Sequence, residues 1–175
     1  VWVLSDALRT DGDLSELVWC GWFYEEVMMH KVFGVKEKAE YTDREGAYLI
    51  PFRGNMVGVI QTSKGYFLLG GGGEAGEGHS ACIEREFMEE AGYLSLVKDK
   101  VCSAEAYTTH PTIPYFHPIQ TYYCGELLEK VGEPTEEDHR LCWIEYDRLK
   151  GRLFVEMQNW ALEQVAAFVQ NKPEE

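Results

Sequence analysis

The sequence predicts an α/β domain in which two main helices layer on a largely antiparallel or mixed sheet. Three observations lead there. Runs rich in β-branched and aromatic residues recur along the chain, turn-forming glycine and asparagine separate them, and only two stretches carry apolar residues at helical spacing. A length of 175 residues fits one core, since a chain of that size buries roughly two-thirds of its unfolded surface.

The first 27 residues differ from the rest: they hold Trp2, Trp19 and Trp22 and six acidic residues against a single Arg9. No methionine precedes them, and Met28-Met29 follows at once. The expectation is an appendage over 1–27, or upstream sequence foreign to the natural protein, with the domain proper over 28–170 and a frayed polar tail over 171–175. Strands are expected at Val32 to Val35, at Ala47 to Phe52 and at Met56 to Gln61, the last two divided by the turn formers Arg53-Gly54-Asn55. Gly65 to Leu69 reads as a further strand running straight into a glycine loop, Gly70 to Gly73. A helix from about His79 to Ala91 follows, stopped by Gly92, because only glycine enters the left-handed C′ conformation without cost. Val97 to Thr108 and Gln120 to Leu128 read as a long antiparallel pair, joined through a proline-rich loop, Pro111 to Pro118. Leu141 to Tyr146 gives another strand. Phe154, Met157, Ala161, Val165 and Phe168 mark a terminal amphipathic helix that packs on the sheet.

Composition narrows the function. A formal charge of −14 repels a polyanion, which argues against broad nucleic-acid binding through a basic surface. An anionic small molecule is admissible where a metal cation neutralises the site. No run of about 18 apolar residues indicates a membrane span, and Val1 to Asp6 shows no secretory leader, so a cytoplasmic protein is expected. The five cysteines, Cys20, Cys82, Cys102, Cys124 and Cys142, are odd in number and never spaced as C-x-x-C, which speaks against a disulfide framework or a structural zinc site. They read as buried small hydrophobes.

The chemistry concentrates in Gly71 to Tyr93, GGGEAGEGHSACIEREFMEEAGY. On a helix Glu86, Glu89 and Glu90 fall at i, i+3 and i+4 and share one face, while Ile83, Phe87 and Ala91 form an apolar stripe that docks on the sheet. Two carboxylates about 5 Å apart in a partly buried cleft repel by roughly 3 kcal/mol at an effective dielectric near 20. A hard divalent cation removes that repulsion, and carboxylate oxygens are what Mg²⁺ prefers. A solvated acidic face is the alternative for an arbitrary E-x-x-E-E. The glycines permit positive φ and close approach of the backbone to a phosphate or metal.

The same stretch resembles the Nudix box, G-x5-E-x7-R-E-U-x-E-E-x-G-U, in which U is bulky and apolar: Gly71, Glu77, Arg85, Glu86, Phe87, Glu89, Glu90, Gly92 and Tyr93 occupy the fixed positions. It departs in having aromatic Phe87 and Tyr93 where aliphatic residues are usual, and Leu69 where a proline often precedes the glycines. The likeness runs from about His30 to the terminal helix and is nearest the small MutT-like branch. It implies an α/β/α sandwich with a mixed sheet and a catalytic loop-helix-loop. It also implies that the Gly70 carbonyl and the carboxylates of Glu86, Glu89 and Glu90 hold Mg²⁺, with Mn²⁺ substituting, that Arg85 orients the glutamates, and that Glu77 acts through Arg85 or a bound water. The implied reaction is hydrolysis of a phosphoanhydride in a nucleoside diphosphate linked to another group, a nucleoside triphosphate, oxidised or not, being the leading expectation. ADP-ribose and dinucleoside polyphosphates remain alternatives, as does a catalytically silent, nucleotide-binding regulatory domain. The tyrosine and proline markers of those two substrate branches are not cleanly placed around Tyr107 to Pro111.

Outside the box, Tyr107, His110 and Tyr115 around the proline-rich segment are candidates for a wall of the substrate pocket, against a plain connecting loop. The acidic run Glu133 to His139 offers Glu136 or Glu137 as a further ligand or base, against a solvated charge run. Trp143 reads as core, and no histidine has the spacing of a zinc motif.

Overall fold

The computed structural model describes residues 29–172; the expected appendage over 1–27, Met28 and the last three residues of the expected tail lie outside the described residues. In chain order the elements are β1 (Met29–Phe33), β2 (Thr42–Arg53), β3 (Met56–Thr62), β4 (Gly65–Phe67), β5 (Leu69–Gly72), α1 (His79–Ala91), β6 (Tyr93–Ala106), β7 (Thr108–His110), β8 (Ile113–Lys130), β9 (Arg140–Glu145), the single turn α2 (Tyr146–Leu149) and α3 (Glu156–Asn171). The sheet is mixed, ordered β1-β6-β8-β2-β3-β4, with β5 on β2, β7 on β8 and β9 on β3. β1 runs parallel to β6 and β2 parallel to β8, while β6 and β8 form the long antiparallel pair.

Alternation along the strands builds two cores. From β2, Ala47 and Leu49 join Ile60, Leu69 and Leu127 under the α1 residues Cys82, Ile83, Phe87 and Ala91. On the opposite face Ile50, Val57, Val59, Cys102, Ala104 and Tyr122 pack against Met157, Ala161, Leu162 and Val165 of α3. The result is a sheet with a helix on each face, as expected. Gly92 ends α1 in the left-handed conformation, with φ 72°, and its N–H returns to the Met88 carbonyl. Among the described residues, no helix is long and apolar enough to cross a membrane. Cys82, Cys102, Cys124 and Cys142 are free, the first three buried.

Four local expectations are corrected. β1 ends at Phe33, and Val35 lies beyond it in an exposed segment that turns at Gly34, with φ 72°. The strand at Gly65 does not run on into a glycine loop. It breaks at Leu68, and Leu69–Gly72 forms its own strand antiparallel to residues 46–49 of β2, because glycines pair like any residue once a neighbour offers its ladder. The proline-rich segment is a tight turn at Pro111-Thr112 followed by β8, which contains Pro114 and Pro118. Pro118 falls between the antiparallel pairings Thr108↔Phe116 and Ile119↔Glu105, so its missing N–H interrupts neither of those two ladders, while on its other edge it stands in register with Arg44 of β2. Phe154 precedes α3 instead of belonging to it and pairs with Phe67, ring centroids 5.2 Å apart. Trp143 is half-buried in β9, with the Arg53 guanidinium 4.1 Å over its ring.

Candidate active site

β5, the loop 73–78 and α1 wrap one edge of the sheet and bring the acidic side chains together. Arg85 stands at the centre. Its Nε and Nη2 donate to Glu77 at 2.9 and 3.0 Å, its Nη1 donates to Glu86 at 2.7 Å and to Glu89 at 3.1 Å, and Nη2 also reaches the Gly72 carbonyl at 3.1 Å. Glu77 in turn accepts the Glu74 N–H at 2.9 Å, which ties the loop to the helix. These hydrogen bonds, Arg85's first, hold the Glu77 carboxyl down to about 2. Arg85 is correspondingly held more firmly protonated, chiefly by Glu77 and also by Glu86.

Glycine at position 71 is explained by space. A Cβ there would stand 2.4 to 2.7 Å from the Glu86 carboxylate, so the strand leaves a cradle for that group. Gly70, at φ 126°, turns its N–H to Glu90 Oε2 at 3.1 Å, and a Cβ there would meet the Ala47 carbonyl at 2.3 Å. Only glycine fits both demands.

Glu90 is buried, and burial first, then the charges of Glu86, Glu136 and Glu89, push its carboxyl up to about 8. This has a sign that can be measured. With no cation present, the folded chain keeps the Glu90 proton up to about pH 8 while the unfolded chain releases it near 4.5, so folding stability contributed by this group falls as pH rises between those values. In chelator the melting temperature of the wild type is expected to drop from pH 5.5 to pH 8 more than that of Glu90→Gln; equal drops in the two proteins would refute it.

The residues fit a hard divalent cation. Arg85 and the Gly70 N–H engage one oxygen each of Glu86, Glu89 and Glu90, and the second oxygen of each remains for a ligand. A further donor group comes from the loop before β9: Glu136, Asp138 and His139 place ligand atoms within 4.8 Å of one another. His139 Nδ1 lies 3.6 Å from Glu90 Oε1, buried and without a hydrogen bond. The loop is pinned to α1, since the Thr135 N–H donates to the Glu89 carbonyl at 2.8 Å.

A cleft of 340 Å³ opens beside Glu90, with Tyr48, Lys64, Phe67, Asp138 and Gln158 of α3 in its walls. Of the residues singled out from sequence, Gly70 and Glu90 line it, and Glu77, Arg85, Glu86 and Glu89 are linked to them through the contacts above. Tyr107, His110 and Tyr115 are not brought there. Tyr107 stacks on His117 with centroids 4.4 Å apart, Tyr115 meets Tyr41 at 5.5 Å, and His110 closes the β7–β8 turn on Thr112, because these strands carry them toward the opposite end of β8. Glu137 is exposed; Glu136 is the loop glutamate whose charge reaches Glu90. Sequence reading set His139 aside with the other histidines and missed Gln158. Neither has a motif, and only the fold brings them beside Glu90.

The family model for the NUDIX domain matches residues 42–168. None of the curated proteins compared with the chain matches it. Among solved structures it is similar to the ORF135 protein of E. coli (TM-score 0.61, 17% identity, covering 77% of this chain and 96% of that one). It is similar also to a MutT NUDIX hydrolase from Burkholderia pseudomallei (0.58, 23%, 71% and 98%) and to an ADP-ribose pyrophosphatase from Streptococcus suis (0.55, 17%, 76% and 96%). At these identities the structures show a shared fold.

Proposed function

The chain belongs to the NUDIX family and is a hydrolase acting on pyrophosphate bonds, and from this premise we propose that its substrate is a nucleoside diphosphate linked to a further group, a nucleoside triphosphate before others. The observation that carries the substrate reading is the cleft beside Glu90, with a buried amide, Gln158, in its wall. Gln158 Oε1 accepts the Leu68 N–H at 3.0 Å. An N–H can be received only by the oxygen, so the amide orientation is set by chemistry and its NH₂ is the group left for a ligand. A donor at that place suits the carbonyl of a guanine or pyrimidine and opposes the exocyclic amine of adenine.

In this reading Glu86, Glu89 and Glu90, with the Gly70 carbonyl, hold Mg²⁺ or Mn²⁺, and Glu136 with His139 completes the set from the loop. When bound, the cation supplies neutralisation of the phosphate oxygens and acidifies the attacking water. The protein's own part is positional. Arg85 fixes the spacing of Glu77, Glu86 and Glu89, the carboxylates take the proton of the attacking water, and the walls of the cleft hold the nucleoside so that one phosphorus faces them.

A panel of nucleoside triphosphates, ADP-ribose and dinucleoside polyphosphates, incubated with protein and Mg²⁺ and followed by mass, tests the proposal. Guanine or pyrimidine triphosphates are expected to be turned over in preference to ATP. Gln158→Glu retains the acceptor for Leu68 but replaces the donor, so kcat/KM for the preferred bases should fall about tenfold while that for ATP does not, the size of a hydrogen bond lost against a polar partner. Preference for ADP-ribose over every triphosphate would redirect the substrate assignment, and absence of turnover across the panel would favour a nucleotide-binding regulatory role.

A further inference from the structure

We propose that Arg44 is a phosphate-binding residue of this site, and that Gly72 is glycine to let its guanidinium lie across β5, two residues along from the Gly70–Tyr48 pair that lines the cleft. The assignment rests on the reading of the site as one that cleaves phosphoanhydrides. Gly46 of β2 pairs with Gly72 of β5, and Arg44, two residues earlier on the same face of β2, leans over that pair. A Cβ on Gly72 would meet Arg44 Nε at 2.3 Å, Nη2 at 2.7 Å and Cζ at 2.8 Å, so the guanidinium occupies the volume a side chain would take. Gly72 has no left-handed φ to explain it.

The neighbouring glycine supplies the complement. Successive strand residues point to opposite faces, and Gly71 makes the same room on its face for the Glu86 carboxylate. One strand thus carries a carboxylate on one side and a guanidinium on the other, and its Gly72 carbonyl accepts Arg85. The Tyr48 hydroxyl reports how near the charges are. Burial, Glu90 and Glu86 hold its proton more tightly, and Arg44 opposes them at the same atom.

Arg85 and Arg44 differ in how they are used. Arg85 spends its donors on Glu77, Glu86, Glu89 and Gly72. Arg44, in a chain of net charge −14 and flanked by Asp43 and Glu45, forms no ion pair or hydrogen bond among the described residues. A planar guanidinium with its N–H edges uncommitted, on the face of β5 that it shares with Gly70 and two residues along from the Gly70–Tyr48 pair in the cleft wall, is suited to a phosphate held in that cleft.

Electrostatics makes the test one of opposite signs. Removing a positive charge near the carboxylates should leave Mn²⁺ binding equal or tighter, yet weaken binding of a phosphate ligand. With methylenediphosphonate, a pyrophosphate analogue that is not hydrolysed, as the probe in Mg²⁺, Arg44→Ala is expected to bind about 10- to 100-fold more weakly than wild type, and Arg44→Lys to recover part of the loss. Gly72→Ala should displace the guanidinium and weaken binding to an intermediate degree, with no further effect in the Arg44→Ala background. Unchanged diphosphonate affinity in Arg44→Ala overturns the assignment. A parallel loss of Mn²⁺ affinity also overturns it, marking Arg44 as a support of the carboxylates. If no nucleotide is hydrolysed while Arg44-dependent diphosphonate binding persists, the catalytic reading falls and this assignment stands.

Discussion

Excess EDTA is expected to reduce turnover to background, and Mg²⁺ or Mn²⁺ to restore it. Without a cation the site opposes its own substrate. Burial first, and then the charges of Glu86, Glu136 and Glu89, raise the Glu90 carboxyl to about 8, and phosphate oxygens would add further negative charge. At an effective dielectric near 20, each carboxylate about 5 Å from a phosphate oxygen costs roughly 3 kcal/mol. Two or three such contacts would weaken binding by several orders of magnitude before any chemistry began. Arg85 shares its one charge among Glu77, Glu86 and Glu89, Lys64 stands in the cleft wall and Arg44 over Gly72, and three monovalent cations so placed do not offset that repulsion. Retention of full turnover in EDTA, measured after the protein has been stripped of metal, would refute a cation-dependent mechanism.

How much of this was legible in the chain depends on how local each feature is. The helix Glu86 to Glu90 and its stop at Gly92 could be read because spacing at i, i+3 and i+4 places side chains on one face whatever surrounds them. The two helices and most strands were legible for the same reason. Long-range pairing was not. Nothing in Leu69–Gly72 announces a strand, since its glycines have no strand preference and only the β2 ladder makes them one. The start of β8 was hidden by Pro114 and Pro118, which speak for a loop unless the gap in antiparallel pairing at Pro118 is known. Tyr107 and Tyr115 looked pocket-like as aromatics near a turn, yet they pack on His117 and Tyr41. Arg44 and Gly72 are separated by 28 positions, and Gln158 stands 68 residues beyond Glu90; no periodicity connects residues so far apart.

Conversion of Glu86 or Glu90 to glutamine is expected to lower kcat by about 10²-fold or more, the typical size of a general-base or metal contribution. The substitution preserves shape and removes like-charge repulsion along the helix, so a purely structural role predicts an equal or slightly more stable protein with unaltered turnover. Glu90→Gln also removes the cost of burying an acid, and its amide can still accept the Gly70 N–H. Stability therefore should rise or hold while activity falls, a divergence that unfolding cannot mimic. Arg85→Ala should reduce kcat strongly without abolishing metal binding, because Arg85 spaces Glu77, Glu86 and Glu89. Glu84, exposed on another face of α1, is the control and its glutamine variant should retain near wild-type rates.

The central claim is that the α1 carboxylates hold the cation and perform the hydrolysis, and kcat measured at saturating Mg²⁺ for Glu86→Gln and Glu90→Gln, with melting temperatures taken in chelator so that cation binding does not enter them, tests it most directly. The account predicts folded proteins, Glu90→Gln melting at or above the wild-type temperature, with turnover of both variants reduced by about 10²-fold or more. Wild-type turnover in both variants would contradict it.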